Sequence, residues 1–402
     1  MTAALYRFFA IAPRGLEALV ADEIKALGAT DLKTESGGVA FTGPLAVGYA
    51  ANLHSRLASR ILWQLSRAPY ATEDDLYAAA HALRWEEHVG PHQTLRLDIN
   101  ALRSPLRSLE FALLRIKDAI VDRLREKTGS RPDIDRVRPG VRVFAFLDAT
   151  HVTLYLDLSG EALFKRGWRR DRGEAPLKEN LAAGLLQLAG WTPTQALADP
   201  FCGSGTILIE AALMAINRAP GLDRPFGLQR MKSYDKTLWT RLHEQALAAI
   251  RPDAEVLLAG SDISTRVIDT ARENARRAGV GSLLDDTRLL FTARDAREAE
   301  PLGLAPPFER GVMISNPPYG EQSNPKSASV PGLMRDVGDR LKQAFSGWQV
   351  WLLTSDRDLP RQLRLSESRK TVLHNGALEC RFFRFDLVSG QYRPRAAPPP
   401  AR

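Results

Sequence analysis

The chain has 402 residues, a length that suggests two or three domains at about 150 residues each. With 44% hydrophobic and 25% charged residues it has the mix of an ordinary folded protein, which excludes wholesale disorder, collagen-like repeats and a disulfide scaffold. Fifty-five Lys and Arg against 47 Asp and Glu leave a net charge of +8, a balance that suits a polyanionic partner without requiring one.

Residues 1–55 read as a small α/β unit. Leu5–Ile11 has the pattern of a buried strand, and Pro13 opens a helix whose Leu16, Leu19, Val20, Ile24 and Leu27 share one face. Gly28 stands where a helix C-cap belongs, and Gly37-Gly38 marks a tight turn before Val39–Phe41. A second unit, residues 56–160, contains predicted strands at Leu57–Leu65, Leu95–Ile99, Val141–Leu147 and Val152–Leu158. It also contains a helix over Pro105–Lys127, with Ser104 as N-cap, Pro105 as first residue and Gly129 beyond its end. Leu106, Leu109, Leu113, Ile116, Ile120 and Leu124 form that helix's apolar stripe. Between Arg103 and Arg142 eleven Lys/Arg stand against six Asp/Glu, a one-signed excess that fits either a solvated face or RNA contact.

From residue 161 to 390 strands and helices alternate, the signature of a doubly wound, Rossmann-like parallel sheet. The clearest strands are Ala196–Phe201, Val256–Asp262, Leu289–Asp295, Val312–Asn316 and Trp348–Ser355. Residues 391–402, rich in Pro, Ala and Arg, read as a disordered tail. The two cysteines, Cys202 and Cys380, form no C-x-x-C pair, so neither a disulfide framework nor a zinc ribbon is expected. Gly90-Pro91 separates His88 from His92 and spoils a helical metal pair, so no metal site is expected. No apolar run reaches the ~18 residues of a membrane span, and Arg7 interrupts the one N-terminal stretch that could resemble a signal sequence. The expectation is a cytoplasmic protein without a membrane partner.

Three strand ends carry chemistry. Asp199-Pro-Phe-Cys-Gly-Ser-Gly-Thr206 leads from a strand into a helix over Ile207–Asn217. Gly203 and Gly205 there permit a tight turn and close approach of a nucleotide-like ligand. The sequence is not a P-loop, lacks the third glycine of the dinucleotide fingerprint (Leu208 stands there) and does not frame Ser204 as a nucleophile elbow. Gly260-Ser-Asp262 ends the next strand, where a carboxylate can accept both ribose hydroxyl protons; Asp262 or Ser264 could instead cap the helix over Thr265–Ala278. Asp295 is a third strand-end acid, placed either for an adenine amino group or as a turn residue.

Ile314-Ser-Asn-Pro-Pro-Tyr-Gly320 is the most specific of these motifs. The lone pair of a nucleobase amine is delocalised into its ring. The Asn316 side-chain oxygen and the Pro317 carbonyl can accept that amine's two N–H bonds and turn the lone pair outwards. The prolines stiffen the loop, and Tyr319 can stack on an extruded base. Cys202 has no paired base and reads as a packing residue rather than a nucleophile.

Taken together, these motifs resemble the class I S-adenosylmethionine-dependent RNA methyltransferases that carry a THUMP domain. Within that family the likeness is to the enzymes that make N2-methylguanosine in 23S rRNA as the front half of a longer chain. It spans nearly the whole sequence, through Ala12-Pro-Arg-Gly-Leu-Glu, Ser55-Arg-Leu-Ala-Ser-Arg-Ile, Lys117-Asp-Ala-Ile-Val-Asp, Asp157-Leu-Ser-Gly-Glu, Arg166-Gly-Trp-Arg, Ala175-Pro-Leu-Lys-Glu-Asn, Arg218-Ala-Pro-Gly-Leu and Asn375-Gly-Ala-Leu-Glu-Cys. The resemblance implies a ferredoxin-like unit and a THUMP unit ahead of the methyltransferase sheet, with S-adenosylmethionine as cofactor and 23S rRNA as partner. It also implies that Asp199, Gly203 and Gly205 line the cofactor's methionine and ribose, and that Asp262 holds the ribose. Asp295 would bind the adenine amino group, Lys178 and Asn180 the carboxylate end, and Asn316 to Tyr319 the target guanine. Guanine-N2 methylation of tRNA, adenine-N6 methylation of DNA and a non-catalytic assembly factor are the alternatives. The sequence departs from the family at Gln322, where Arg is more usual, in the polar Ser323–Ser329 stretch, and in a long insertion over 218–255 that should cover either a sheet edge or the site.

Overall fold

The computed structural model describes residues 4–169, 177–305, 308, 310–318 and 330–388. The front half is built on one seven-stranded sheet. Its strands are β1 (Tyr6–Ile11), β2 (Thr30–Glu35), β3 (Gly38–Gly43), β4 (Arg60–Pro69), β5 (Leu95–Ala101), β6 (Val141–Leu147) and β7 (His151–Asp157), in the order β2-β3-β1-β4-β7-β6-β5. β4 is the shared member: it pairs antiparallel with β1 (Phe9 opposite Leu62) and with β7 (Trp63 opposite Leu156). The ferredoxin-like and THUMP-like portions are therefore hydrogen-bonded into a single layer. Helices α1 (Glu17–Ala26), α2 (Leu45–His54), α3 (Glu73–His81) and α4 (Leu109–Thr128) pack against it.

α4 begins four residues later than the sequence predicts. Ser108, not Ser104, is its N-cap and accepts the Phe111 amide at 3.2 Å. The Ser104 hydroxyl is engaged elsewhere, by Tyr70 Oη at 2.8 Å and the Leu106 amide at 3.2 Å. Both serines have a capping composition, and the tertiary contact to Tyr70 decides between them. Ile116, Ile120 and Leu124 are buried as the stripe requires, whereas Leu109, at the helix start, is exposed. Gly129, at φ 72°, closes the helix as expected.

The second half contains α5 (Glu179–Leu188), β8 (Gln195–Asp199), α6 (Thr206–Ala215), α7 (Lys236–Ala248), β9 (Leu258–Asp262), α8 (Thr265–Arg277), α9 (Gly281–Asp285), β10 (Leu289–Ala293), β11 (Arg310–Ser315), α10 (Val330–Ala344), β12 (Gln349–Thr354), α11 (Leu359–Leu363), β13 (Arg369–Asn375) and β14 (Leu378–Asp386). The strand order is β10-β9-β8-β11-β12-β14-β13; the first five strands are parallel, and β14 runs antiparallel to both its neighbours. The order reverses between β8 and β11, the switch point at which such sheets bind ligands beyond their carboxyl ends. The strand bearing Asp262 ends where the sequence predicts, whereas the other three chemical strands end one or two residues early: Phe201, Asp295 and Asn316 lie just past the ladder, in the loops that form the rim.

The two halves are joined by apolar and ionic contacts. Leu16 belongs to the core of the second half, and a Cβ on Gly184 of α5 would lie 2.5 Å from its side chain. The 218–255 insertion packs on the front half: Phe226, Leu228, Met231, Trp239 and Ala246 share its hydrophobic core, and Tyr49 Oη accepts the Asp235 amide at 3.1 Å. The insertion is thus a strut between the halves. Glu23 of α1 accepts from Ser55 Oγ, the Arg56 and Leu57 amides and Gln187 of α5. Arg56 donates to the Leu213 and Arg218 carbonyls at the end of α6, and Arg166 pairs with the fully buried Glu210 of α6 at 3.2 Å. Among the described residues no helix is long and apolar enough to cross a membrane.

Candidate active site

The loop after β8 is shaped by two glycines with different tasks. Gly203 (φ 52°) and Gly205 (φ 85°) are both left-handed, a conformation that disfavours side chains. A Cβ on Gly205 would meet Phe291 at 2.9 Å and Ala271 at 3.2 Å, so this glycine lets the loop pack against β10 and α8. A Cβ on Gly203 would meet nothing within 4 Å; its outer side is open to a ligand. The Cys202 amide donates to the Ser261 carbonyl at 2.9 Å and ties the loop to β9. Burial pushes the Cys202 thiol well above its usual range, so it is protonated and fits the packing role assigned to it.

Asp199, only 2% exposed, accepts hydrogen bonds from Ser315 Oγ and, at 3.1 Å, from the Phe201 amide. Burial pushes its carboxyl up to about 7; the two hydrogen bonds oppose that shift and the negative charge of Asp262 adds to it. Asp262 does not cap α8. Ser264 does so, its Oγ accepting the Val267 amide at 3.4 Å, while Asp262 accepts the Ser264 amide through Oδ1 alone. Ile263 beside it is 73% exposed. Sequence reasoning missed this residue, although an apolar side chain directly after a strand-end acid was the available signal. It offers a flat apolar contact of the kind a purine needs.

Asp295 is already engaged. Its carboxylate accepts the Arg297 amide at 2.8 Å and the Arg297 guanidinium at 2.6 Å, and this pairing holds its pKa below the usual range. An adenine amino group would have to share it. Lys178 and Asn180 face other duties. The Lys178 ammonium lies 4.9 Å from the centre of the Phe164 ring, and the buried Asn180 amide donates to the Leu57 carbonyl at 3.0 Å. The Asn180 Oδ1, by contrast, is buried and has no hydrogen-bond partner among the described residues. The neighbouring Leu177 carbonyl is tied to the second half through Arg169, which donates both to it and to Thr206 Oγ1 at the start of α6.

Asn316 follows β11 directly. Its Oδ1 is buried and has no hydrogen-bond partner among the described residues, an arrangement that ordinarily costs about 1–3 kcal/mol. Pro317 is buried beside it. Tyr319, Gln322 and Ser323–Ser329 lie outside the described residues. β8 and β11 are adjacent, so the open side of Gly203, Asp199, Asp262 and the unpartnered Asn316 acceptor all lie along one rim of the sheet. Among the described residues no group of three or more His, Cys, Asp or Glu side chains is placed to hold a metal ion.

Comparison with known proteins gives this rim a family. Residues 166–384 match the RMKL-like methyltransferase domain, residues 7–62 the RlmL ferredoxin-like domain and residues 70–157 the THUMP domain. The ribosomal RNA large subunit methyltransferase K/L of Shewanella pealeana is 41% identical over 383 residues, covering 94% of this chain and 52% of that protein. The protein of the same name from Shewanella sp. strain ANA-3 is 40% identical over 389 residues, with coverages of 95% and 53%. The chain thus spans about half the length of the curated relatives it matches. Among solved structures, the SMU.472 protein in complex with SAH superposes with a TM-score of 0.84 at 29% identity, covering 98% of this chain and all of that one. A predicted N6-adenine-specific DNA methylase from Listeria monocytogenes gives 0.83 at 31% identity, with coverages of 95% and 96%. A parallel sheet with this switch point, these two front units and near-complete superposition on such neighbours make the chain a member of the RMKL-like methyltransferase-domain family.

Proposed function

We propose that the chain is a cytoplasmic S-adenosylmethionine-dependent methyltransferase that modifies the exocyclic N2 of one guanosine in 23S rRNA. The observation that carries this reading is the buried, unpartnered Asn316 oxygen beside the β8 loop. A buried acceptor left unpaired is a place prepared for a donor, and an aromatic amine is the donor that suits it.

The rim fits the cofactor: Gly203 leaves room for close approach, Asp262 has a carboxylate oxygen to spare for ribose hydroxyls, and Ile263 offers a face for the purine. When bound, the cofactor supplies a methyl group on a positively charged sulfur. Asp199 would sit by its ammonium. Asp295 could take the adenine amino group only alongside Arg297, while at the carboxylate end Lys178 carries a positive charge and Asn180, its amide spent on the Leu57 carbonyl, keeps a buried Oδ1 with no partner among the described residues. On the substrate side, Asn316 Oδ1 and the Pro317 carbonyl accept the two N–H bonds of the guanine amine and orient its lone pair. Tyr319 stacks on the extruded base. Catalysis then comes from holding nitrogen and methyl in line and from carbonyl dipoles facing the developing positive charge. The front sheet, with the basic stretch between Arg103 and Arg142, grips a structured stem through phosphates and shape.

The names of the relatives favour rRNA, and the THUMP match favours RNA over DNA. The test is methyl transfer from labelled cofactor to naked 23S rRNA, bulk tRNA and duplex DNA, followed by nucleoside mapping. N2-methylguanosine in 23S rRNA is expected. Label in tRNA guanosine or DNA adenine would replace the substrate named here, and no label in any of them would overturn the enzyme.

A further inference from the structure

Asn316 does not fix its own position. β11 ends at Ser315, which is completely buried, and its last residue paired with β8 is Met313, opposite Ala198. On the other side the ladder continues further, with Ser315 opposite Leu352 of β12. Towards β8, then, the last backbone pair lies three residues before Asn316. The next link between the two strand ends is a side-chain one, Ser315 Oγ donating to Asp199 Oδ1. The same oxygen receives the Phe201 amide, the first turn of the loop that holds Gly203 and Gly205. One buried hydrogen bond thus joins the strand carrying the base acceptor to the loop carrying the cofactor glycines.

We propose that Ser315 is a positioning residue, which by donating to Asp199 holds the Asn316 acceptor at a set distance from the cofactor loop. The inference rests on the methyltransferase reading above, because only a reaction between molecules held on the two loops makes their spacing matter. In-line transfer tolerates little error, and a displacement of about 1 Å costs on the order of a hundredfold in rate. A merely structural serine would affect folding and leave turnover intact.

The bond also bears on charge. Ser315 is one of the two donors that hold the Asp199 carboxyl down against burial, and its removal raises the protonated fraction near neutral pH. Among the described residues Asp262, from β9, is the charged group acting on Asp199. Cys202, in the same loop, is the neighbouring titratable thiol, and β11 contributes only the hydroxyl.

The experiment uses the full chain with Ser315→Ala and Ser315→Thr. Melting temperature, SAH affinity across pH by calorimetry, and kcat and KM on 23S rRNA are measured for each. For Ser315→Ala, kcat should fall about tenfold to a hundredfold while KM for RNA stays within about threefold. The acidic limb of its SAH-affinity profile should move to higher pH. Ser315→Thr, which restores the hydroxyl, should recover most of kcat. A Ser315→Ala enzyme with undiminished kcat overturns the proposal, as does a well-folded Thr variant that restores nothing. Should Thr lower the melting temperature, the Ala profile decides: an unmoved acidic limb overturns the coupling. Failure of the underlying reading looks different, because the wild-type chain itself would then transfer no methyl group.

Discussion

Replacing Asp199 with asparagine removes a carboxyl whose titration the fold has displaced, and the consequence for stability has a definite sign. Asp199 is buried, and its pKa rises from 3.8 to about 7 on folding. Between those values the native state holds the proton more tightly than the unfolded chain does. Stability from this group is therefore fully present below about pH 4 and is lost as pH rises through 7. Three units at about 1.4 kcal/mol each give roughly 4 kcal/mol of lost stability above neutrality, of which about 2–3 kcal/mol develops between pH 5 and 8. An asparagine side chain at this position would be neutral throughout and would keep an oxygen for Ser315 and the Phe201 amide. The Asp199→Asn chain should thus gain on wild type by about 2–3 kcal/mol as pH goes from 5 to 8, measured by urea unfolding without ligand. A gap that stays flat, or grows in favour of wild type, refutes the burial argument. The cofactor supplies a second arm. If the carboxylate faces the cofactor's ammonium, binding at pH 6 should release protons from wild type and none from the variant, which calorimetry in two buffers of different ionisation enthalpy detects.

Other perturbations separate the roles along the rim. Asn316→Ala should lower kcat by at least about a hundredfold, in the range seen when one preorganised dipole is removed, with SAH affinity unchanged; an undiminished rate removes Asn316 from the mechanism. Asp262→Ala should weaken cofactor binding about tenfold or more while melting as wild type does, since Ser264 caps α8; unchanged affinity by calorimetry would show that Asp262 serves only the Ser264 amide. Glu210→Ala leaves Arg56 and Arg166 buried without their shared counter-charge and should cost about 3–5 kcal/mol. A loss below about 1 kcal/mol in urea unfolding would mean that the joint is held by its apolar contacts instead.

The parts of the site legible in the sequence are those governed by local chemistry. Paired glycines after a strand, an acid at a strand end and an Asn before two prolines announce their geometry within a few residues, and Gly203, Gly205, Asp262 and Asn316 all meet on the rim. What escaped was set by side-chain partners that residue type alone does not announce, some distant in sequence and one only two residues away. Ser104 and Ser108 are equally good caps until Tyr70 engages one of them. Asp295 is a free strand-end acid until Arg297 folds back on it. The insertion at 218–255 shows no preference for site or surface until Trp239 and Phe226 settle into the front core.

The family-like blocks in the front half show how far a local reading can mislead about purpose. Ala12-Pro-Arg-Gly-Leu-Glu and Ser55-Arg-Leu-Ala-Ser carry arginines and precede the THUMP unit for which RNA contact is proposed, so nucleic-acid contact is their natural interpretation. In the fold both blocks are joint. A Cβ on Gly15 would lie 2.8 Å from the Val372 carbonyl, Leu16 fills the second core, and Arg56 spends its guanidinium on the end of α6. Asn180, assigned to the cofactor from sequence, reaches back to the same block at Leu57. A guanidinium already committed to buried carbonyls is unavailable to phosphate. Under the proposed function, the Arg103–Arg142 stretch is then a better candidate than Arg56 for contact with RNA phosphates. That division predicts that charge reversals at exposed positions such as Arg107 will raise KM for RNA and flatten its salt dependence, as loss of a phosphate contact does. Arg56→Met should show up first in unfolding. An Arg107→Glu chain with wild-type KM and salt slope would remove Arg107 from the proposed RNA contact.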